Sequence, residues 1–287
     1  MQLSRLELKY HISEETALAL RDFIAGYLEI DEFGAKKPNL SYPVHSLYLD
    51  SPGLKTFRDT INGNKNRYKL RLRYYDSRPG APVFFEVKRR MNSAILKQRG
   101  AVRREAVPFV LAGQLPDPSE LLSSDPRALG GIQRFLTLMT GIGARPTSHI
   151  FYQREAWISS HDNSVRVTMD RQVFFEPDPT MRLKTTMDNP VLVFGKTVIL
   201  ELKFTGRFPD WWRELVRVFS LAQGSAAKYA DGIVLYGEHR FRNTMYLGLG
   251  EPPSGPEDPC CPGPDLPPGS ESEASVVPSR TEQNPTR

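Results

Sequence analysis

Residues 67–75, RYKLRLRYY, place four cations on one side of a single predicted strand. With the two-residue period of a β-strand, the cations share one face, and the leucines and two of the tyrosines share the other. The cations are Arg67, Lys69, Arg71 and Arg73. Like charges side by side need water or an anion to compensate them. Taken alone, the stretch fits either a solvated sheet face or a binding surface for an anion.

Other parts of the chain repeat this alternation. The segment VFFEVKRR (83–90) follows through a Pro/Gly turn, so the two strands form a natural hairpin with adjacent charged faces. Similar strands are predicted at 3–10, 45–50, 95–105, 148–159, 164–171 and 198–205. In the strand at 95–105, Gly100 indicates a weakened strand or a bulge. Helical patterns cover 14–27, 119–140 with a break near Pro126, and 208–221.

Two architectures fit strands that are charged on one face and apolar on the other. In an open sheet, the apolar faces pack on helices and the charged faces meet water. In a closed antiparallel sheet, the charged faces line a tunnel and the helices cover the apolar outside. The alternation by itself leaves both open.

The charge is concentrated in the first 250 residues. The whole chain has 38 Lys and Arg against 33 Asp and Glu, a net charge of +5. Because only two of these bases and seven of these acids lie in 251–287, residues 1–250 carry +10. A basic domain favours an acidic partner such as nucleic acid, anionic lipid, nucleotide or polyphosphate.

The remaining composition limits the location and the domain organisation. No apolar run approaches the roughly 20 residues that span a bilayer, and no signal peptide is recognisable, so a cytoplasmic location is expected. The only two cysteines, Cys260 and Cys261, are adjacent and form no disulfide framework. Residues 251–287 hold ten of the 24 prolines and no aromatics, and we expect this Pro/Ser/Glu-rich tail to be disordered.

Three carboxylates stand among the cations, each two residues before a lysine: Glu7, Glu86 and Glu201. One Glu-x-Lys is usually an ordinary ion pair, but three in a basic domain predict a site for a polyanion and a divalent metal. Mg²⁺ or Mn²⁺ fits, because both prefer oxygen ligands and the histidines lack metal-ligand spacing. The candidate ligands are Glu201 with Glu7 or Glu86.

Other chemistries are less favoured. The chain has no Gly-rich phosphate loop of the G-x-x-x-x-G-K type and no G-x-S-x-G motif. Nucleic-acid binding is disfavoured, because the tyrosines inside RYKLRLRYY fall mostly on the face opposite the cations.

Eight ordered motifs resemble one known family. They are RLELKY, SLYLDSP, NRYKLRLRYYD, FFEVKRR followed by LKQR, FYQREAW, VRVTMD, VILELKF and KYADG. Together they resemble the VTC domain over about residues 3–236. This domain is the polyphosphate-polymerase branch of the triphosphate tunnel metalloenzymes, also called the CYTH superfamily.

The resemblance implies an α+β fold, an eight-stranded antiparallel β-barrel tunnel with helices packed on the outside, over residues 1–250. It also implies Mn²⁺ or Mg²⁺ as cofactor and ATP, triphosphate or polyphosphate as partner. The implied catalytic cations are Lys9, Arg71, Arg73, Lys88, Arg154, Arg166 and Lys228. The cations expected to bind substrate are Lys69, Lys97, Arg99 and Lys203. The resemblance implies Glu201 as the metal ligand, and Glu7 and Glu86 stay the further candidate ligands from the Glu-x-Lys pattern.

The function implied is metal-dependent phosphoryl transfer, with polyphosphate synthesis from ATP first and a triphosphatase in the same tunnel as the alternative. Arg5 replaces the first glutamate of the superfamily's E-x-E-x-K, as expected for the VTC branch. Ala227 replaces the serine of the family's S-K-Y near the end of the domain. This missing hydroxyl keeps a non-catalytic polyphosphate-binding module as a third possibility.

Overall fold

The stretch 67–75 lies almost entirely within one strand of an antiparallel sheet. The computed structural model describes residues 5–92, 94–160, 162 and 164–241, so the predicted disordered tail at 251–287 lies outside the described residues. In this part of the chain the strands are β1 (Arg5–Ile12), β2 (Glu29–Ile30), β3 (Ser41–Asp50), β4 (Asn66–Tyr74), β5 (Pro82–Met91), β6 (Ala94–Arg103), β7 (Arg145–Ile158), β8 (Val165–Pro177), β9 (Val191–Leu192) and β10 (Val198–Thr205). The helices are α1 (Glu14–Ile24), α2 (Glu32–Ala35), α3 (Lys55–Ile61), α4 (Val107–Leu111), α5 (Pro126–Gly141), α6 (Asp210–Val218) and α7 (Lys228–Tyr236).

The ten strands pair in the order β2-β7-β3-β4-β5-β6-β1-β10-β8-β9, and β7 also pairs with β8. All these pairs are antiparallel. The contact between β1 and β6 is one residue pair, Arg5 with Ile95. The predicted antiparallel sheet with helices is therefore confirmed, whereas the closed eight-stranded tunnel stays a prediction.

The apolar faces of the strands form the main core. On β4, Leu70 and Leu72 are fully buried, and on β5 so is Phe85, which packs against Phe135 of α5. Each fully buried side chain of this size stabilises the fold by about 1.5–3 kcal/mol. The alternation thus places leucine and phenylalanine on the covered side of the sheet and leaves the cations on the other.

Two helices have different bounds from those the sequence predicts. Ser13 caps α1 by accepting a hydrogen bond from the Thr16 backbone N–H, but the helix ends at Ile24 and not near Tyr27. The helix expected over 119–140 begins only at Pro126, which occupies the first turn, where its missing N–H costs nothing. Within the described residues, no helix is long and apolar enough to cross a membrane.

Gly100 on β6 marks a close approach between the sheet and α5. A Cβ at this position would lie 2.2 Å from the carbonyl oxygen of Ala128 and 2.6 Å from the Ile132 side chain. The register of β5 with β6 continues through Gly100 without a shift, so the bulge that the sequence suggested is absent from this pairing. Gly100 is therefore needed for helix packing.

We expect Gly100→Ala to lower the free energy of unfolding by about 1–3 kcal/mol, because the added methyl group overpacks the contact with α5. Urea unfolding of the purified protein measures this change. Gly130→Ala is the matched control, since a Cβ there meets nothing within 4 Å and alanine favours the helix. Equal stability of the two variants would contradict the packing role of Gly100.

Helix α7 does not lie on the apolar side of the sheet as the sequence predicts for the helices. The Tyr229 ring stacks on Tyr48, whose hydroxyl accepts a hydrogen bond from Arg71 on the charged side of β4. The Tyr229 hydroxyl donates to the fully buried Asp50 at 2.8 Å. These contacts hold the start of α7 against the charged side of the sheet.

Candidate functional site

The charged faces of six strands meet on one side of the sheet, together with the start of α7. We call this side the charged face. It carries Glu7 and Lys9 (β1), Lys69, Arg71 and Arg73 (β4), Glu86 and Lys88 (β5), Arg154 (β7), Arg166 and Asp170 (β8), Glu201 and Lys203 (β10), and Lys228 (α7). Lys97 and Arg99 on β6 extend it through their pairing with β5. The structure therefore brings the sequence-predicted residues onto a common surface.

Glu201 is the most connected carboxylate of this face. It is 5% exposed and lies within 3.5 Å of Lys9 and 3.3 Å of Lys228. Lys203 also donates to it, and an Arg154 nitrogen lies 3.8 Å away. Burial would raise the pKa of Glu201, but these cations outweigh burial and hold the pKa well below its usual value. Glu201 is therefore ionised at neutral pH.

Glu7 is linked to Glu201 through a shared lysine. The Lys9 Nζ lies 3.4 Å from Glu7 and 3.5 Å from Glu201. Burial and the Glu201 carboxylate would raise the pKa of Glu7, but Lys88 and its neighbours lower it to about 2. Two ionised carboxylates thus lie on paired strands, held together by lysines.

Glu86 has a different set of partners. The fully buried carboxylate lies 2.8 Å from Arg71 and also contacts Lys97. Lys88, two residues further along β5, pairs with Glu7 at 3.0 Å instead. Glu7 and Glu201 therefore each form an ion pair with the lysine two residues later on the same strand, whereas Glu86 does not pair with Lys88. Among the described residues, Glu86 shares no ion-pair partner with Glu7 or Glu201, the other two predicted metal ligands.

Asp170 orients two of the predicted cations. The fully buried carboxylate accepts two hydrogen bonds from Arg154, both at 2.7 Å, and lies 2.8 Å from the Lys228 Nζ. Such a bidentate pair fixes the plane of a guanidinium group. Burial alone would lower the pKa of Lys228, but Asp170 and Glu201 raise it, so this lysine stays charged.

Three predicted residues contact other groups than the three predicted metal ligands. Arg166 binds Asp31, the residue that caps α2, at 3.1 Å. The Arg99 guanidinium lies over the Phe84 ring at 5.0 Å, and Lys69 lies 6.0 Å from the centre of the Tyr229 ring. Among the described residues, none of these three side chains forms an ion pair with Glu7, Glu86 or Glu201, although Arg99 is the register partner of Glu86.

Sequence reasoning did not assign Asp170, Asp31, Tyr48 or Tyr152 to the site. Tyr152 accepts a hydrogen bond from Arg73 at 3.0 Å, and both Arg154 and Lys228 lie 5.1 Å from its ring centre. The strand period predicts that Asp170 shares the face of Arg166, and it could also have found Tyr152, which is two residues from Arg154 on its strand. Asp31 lies outside the alternating strands, so no comparable signal marks it.

Several buried polar atoms of this region lack a hydrogen-bond partner among the described residues. They include Arg73 Nε and the hydroxyl oxygens of Ser46 and Ser148. Ser46 is the register partner of Arg73 across β3 and β4, and Ser148 pairs with Tyr48 across β3 and β7. Buried polar atoms normally have partners, and an oxygen-rich ligand beside Arg73 would supply one.

The donor set fits a divalent cation only in part. Among the described residues, no three His, Cys, Asp or Glu side chains gather into a metal-binding group. Glu7 and Glu201 are nevertheless two ionised carboxylates that share Lys9. Mg²⁺ is typically bound by one or two carboxylates together with substrate phosphates. The pair therefore suits Mg²⁺ or Mn²⁺ that arrives with a phosphate ligand.

Comparison with known proteins gives a match to one family. A family model described as the VTC domain matches residues 4–236. A search of curated protein sequences gives no match. Among solved structures, one described as a "putative adenylate cyclase" from Bacillus halodurans is similar, with 13% sequence identity and a TM-score of 0.45, over 78% of this chain and 95% of that chain. The range of the family match includes the whole charged face and α7.

Proposed function

Because the chain belongs to the VTC domain family, we propose that the charged face lines a tunnel for a phosphate chain and catalyses metal-dependent phosphoryl transfer. The main reaction of this proposal is the synthesis of polyphosphate from ATP. Buried and partly buried cations that converge on Glu201 and Asp170 carry this proposal. Removing so many cations from water is costly unless anions compensate them. A triphosphate or polyphosphate supplies several negative charges in one chain.

The chain's own residues bind and orient the phosphates. Arg71 is held by Glu86 and Arg154 by Asp170, so both guanidinium groups have fixed planes before the ligand enters. Charge that develops on phosphate oxygens during transfer then meets cations that need no rearrangement. Lys9 and Lys228, which both contact Glu201, neutralise the same region. No protein nucleophile is required.

Glu201 and Glu7 are the residues that would hold Mg²⁺ or Mn²⁺. When bound, the metal would polarise phosphate oxygens and neutralise their charge. The lysine contacts of both carboxylates would loosen to make room, because Lys9 now lies between them. Glu86 is a weaker candidate, since its oxygens are engaged by Arg71 and Lys97.

The group that accepts the transferred phosphoryl group determines which of the related reactions takes place. The end of a phosphate chain as acceptor gives polyphosphate, whereas water gives a triphosphatase. One observation favours a third possibility, a polyphosphate-binding module without catalysis. Ala227 precedes Lys228 at the start of α7 and offers only its backbone N–H, which donates to Asp231 at 2.7 Å.

One experiment separates the three. Purified protein is incubated with ATP and Mn²⁺, phosphate release is measured, and polymer is stained on a gel. Long polymer supports the polymerase, and free phosphate without polymer supports the triphosphatase. Tight polyphosphate binding with neither product would leave the binding module and contradict the proposed catalysis.

We expect polyphosphate to bind more weakly as the pH rises from about 7 to about 9. Burial lowers the pKa of Lys69 to about 8. Burial also lowers the pKa of Lys203 to about 8, although Glu201 opposes it. Both lysines therefore lose protons over this range in the free protein. A bound polyanion favours the charged ammonium, so binding at the higher pH must take up protons.

Calorimetric titration at constant ionic strength, in two buffers of different ionisation heat, measures both the affinity and the proton uptake. Lys69→Arg keeps its charge throughout this range, so its pH dependence is expected to be flatter. Equal affinity at both pH values without proton uptake would refute the assignment of these lysines.

A further inference from the structure

Four aromatic side chains follow one another at one end of strands β3, β4 and β5. The ring centres of Phe33 and Tyr42 are 6.0 Å apart, those of Tyr42 and Tyr75 are 6.1 Å apart, and those of Tyr75 and Phe84 are 6.1 Å apart. We call Phe33, Tyr42, Tyr75 and Phe84 the aromatic rim. Tyr42 belongs to a hydrophobic core and Tyr75 packs against that core, but core packing does not explain why all four rings follow one another here.

The aromatic rim continues the charged face directly. Tyr42 is the register partner of Arg154 across β3 and β7, and Phe84 is the register partner of Arg73 across β4 and β5. Residues paired in this way project from the same face of a sheet. Each of these two arginines therefore has an aromatic residue as one of its cross-strand neighbours.

One cation and one carboxylate contact the aromatic rim. The Arg99 guanidinium lies 5.0 Å from the Phe84 ring centre. Asp31 caps α2 by accepting from the Gly34 N–H at 2.9 Å, and it accepts from the Tyr42 hydroxyl at 3.0 Å. The same carboxylate holds Arg166 at 3.1 Å. One residue thus positions both the rim and a cation of the charged face.

The rim is accessible to a ligand. Phe33 is 64% exposed although it lies beside the Tyr42 ring, and Tyr75 and Phe84 are only partly buried, whereas Tyr42 is buried. A single exposed phenylalanine needs no explanation, but an aromatic series beside desolvated arginines is a combination suited to a ligand with one flat apolar part and one anionic part.

We propose that the aromatic rim binds the base of a nucleoside triphosphate whose phosphates lie along Arg73 and Arg154. This inference rests on the proposed function and adds to it a subsite for the base of the nucleotide. Bases stack on aromatic side chains and on arginine planes, with little dependence on which base is present. Inorganic triphosphate and the polyphosphate product have no such surface, so the rim favours the nucleotide over both.

The test compares ATP with inorganic tripolyphosphate as two probes of the same site. Their affinities for the full chain are measured by calorimetry at one ionic strength, for the wild type, Phe33→Ala and Tyr75→Ala. We expect the ratio of ATP affinity to tripolyphosphate affinity to fall about tenfold in either variant, the scale of one lost stacking contact. Phe33→Trp, which enlarges an exposed ring, is expected to raise the ratio.

Phe109→Ala is the matched control, because Phe109 on α4 is 58% exposed and does not belong to the rim. An unchanged ratio in both rim variants, or an equal loss of ATP and tripolyphosphate binding, would overturn the base site while leaving the proposed function intact. If the wild type bound neither ATP nor tripolyphosphate, both the proposed function and this inference would be overturned.

Discussion

Glu201→Gln is expected to lower turnover of ATP by about 100-fold or more while leaving metal-free polyphosphate binding intact or tighter. The substitution keeps the shape of the side chain and removes its charge. Lys9, Lys203 and Lys228 then lose the carboxylate that compensates them and attract the polyanion more strongly. The same change removes the carboxylate best placed to hold a divalent metal.

Phosphate release and polymer formation with ATP and Mn²⁺ measure the turnover, and calorimetry with polyphosphate in the presence of a chelator measures the binding. Glu29→Gln is the matched control, because Glu29 is exposed on β2. A variant that binds polyphosphate and turns over ATP as the wild type does would remove Glu201 from the mechanism. A parallel loss of binding and turnover would show that Glu201 acts through the fold instead.

Asp170→Asn is expected to cost about 3–5 kcal/mol of the free energy of unfolding in the absence of ligand. Asp170 is fully buried, and it compensates Arg154 and Lys228 at hydrogen-bond distance. Asparagine leaves both cations in the interior without this charge. Because a bound polyanion would restore the compensation, polyphosphate should raise the melting temperature of the variant more than that of the wild type.

Urea unfolding gives the free energy of each variant, and thermal unfolding with and without polyphosphate gives the ligand effect. Asp22→Asn on the exposed side of α1 is the control, since that carboxylate is open to solvent. A stability equal to that of the wild type would show that Arg154 and Lys228 are compensated by other groups. A smaller ligand effect in the variant would contradict phosphate binding beside Asp170.

Much of the charged face could be predicted because the side chains of a strand alternate strictly between its two sides. Arg71 and Arg73 share a face for a reason internal to β4, and the same holds for Glu201 and Lys203 on β10. The order of the motifs then indicated the family, which the match over residues 4–236 confirms. The aromatic rim escaped this reasoning, because its members come from α2, β3, β5 and the residue after β4.

Periodicity and composition are enough to predict which side of each strand is charged, where most helices and strands lie, and that the cations outnumber the carboxylates. The pairing of each cation with its carboxylate, in contrast, follows from how the strands are arranged in the folded sheet. Lys88 pairs with Glu7 of a distant strand and not with Glu86 two residues away, and Arg154 binds an aspartate of β8. The period of a strand fixes only the face on which a side chain lies. Its partner depends on the order and register of neighbouring strands, which bring residues far apart in the chain within 3 Å of each other.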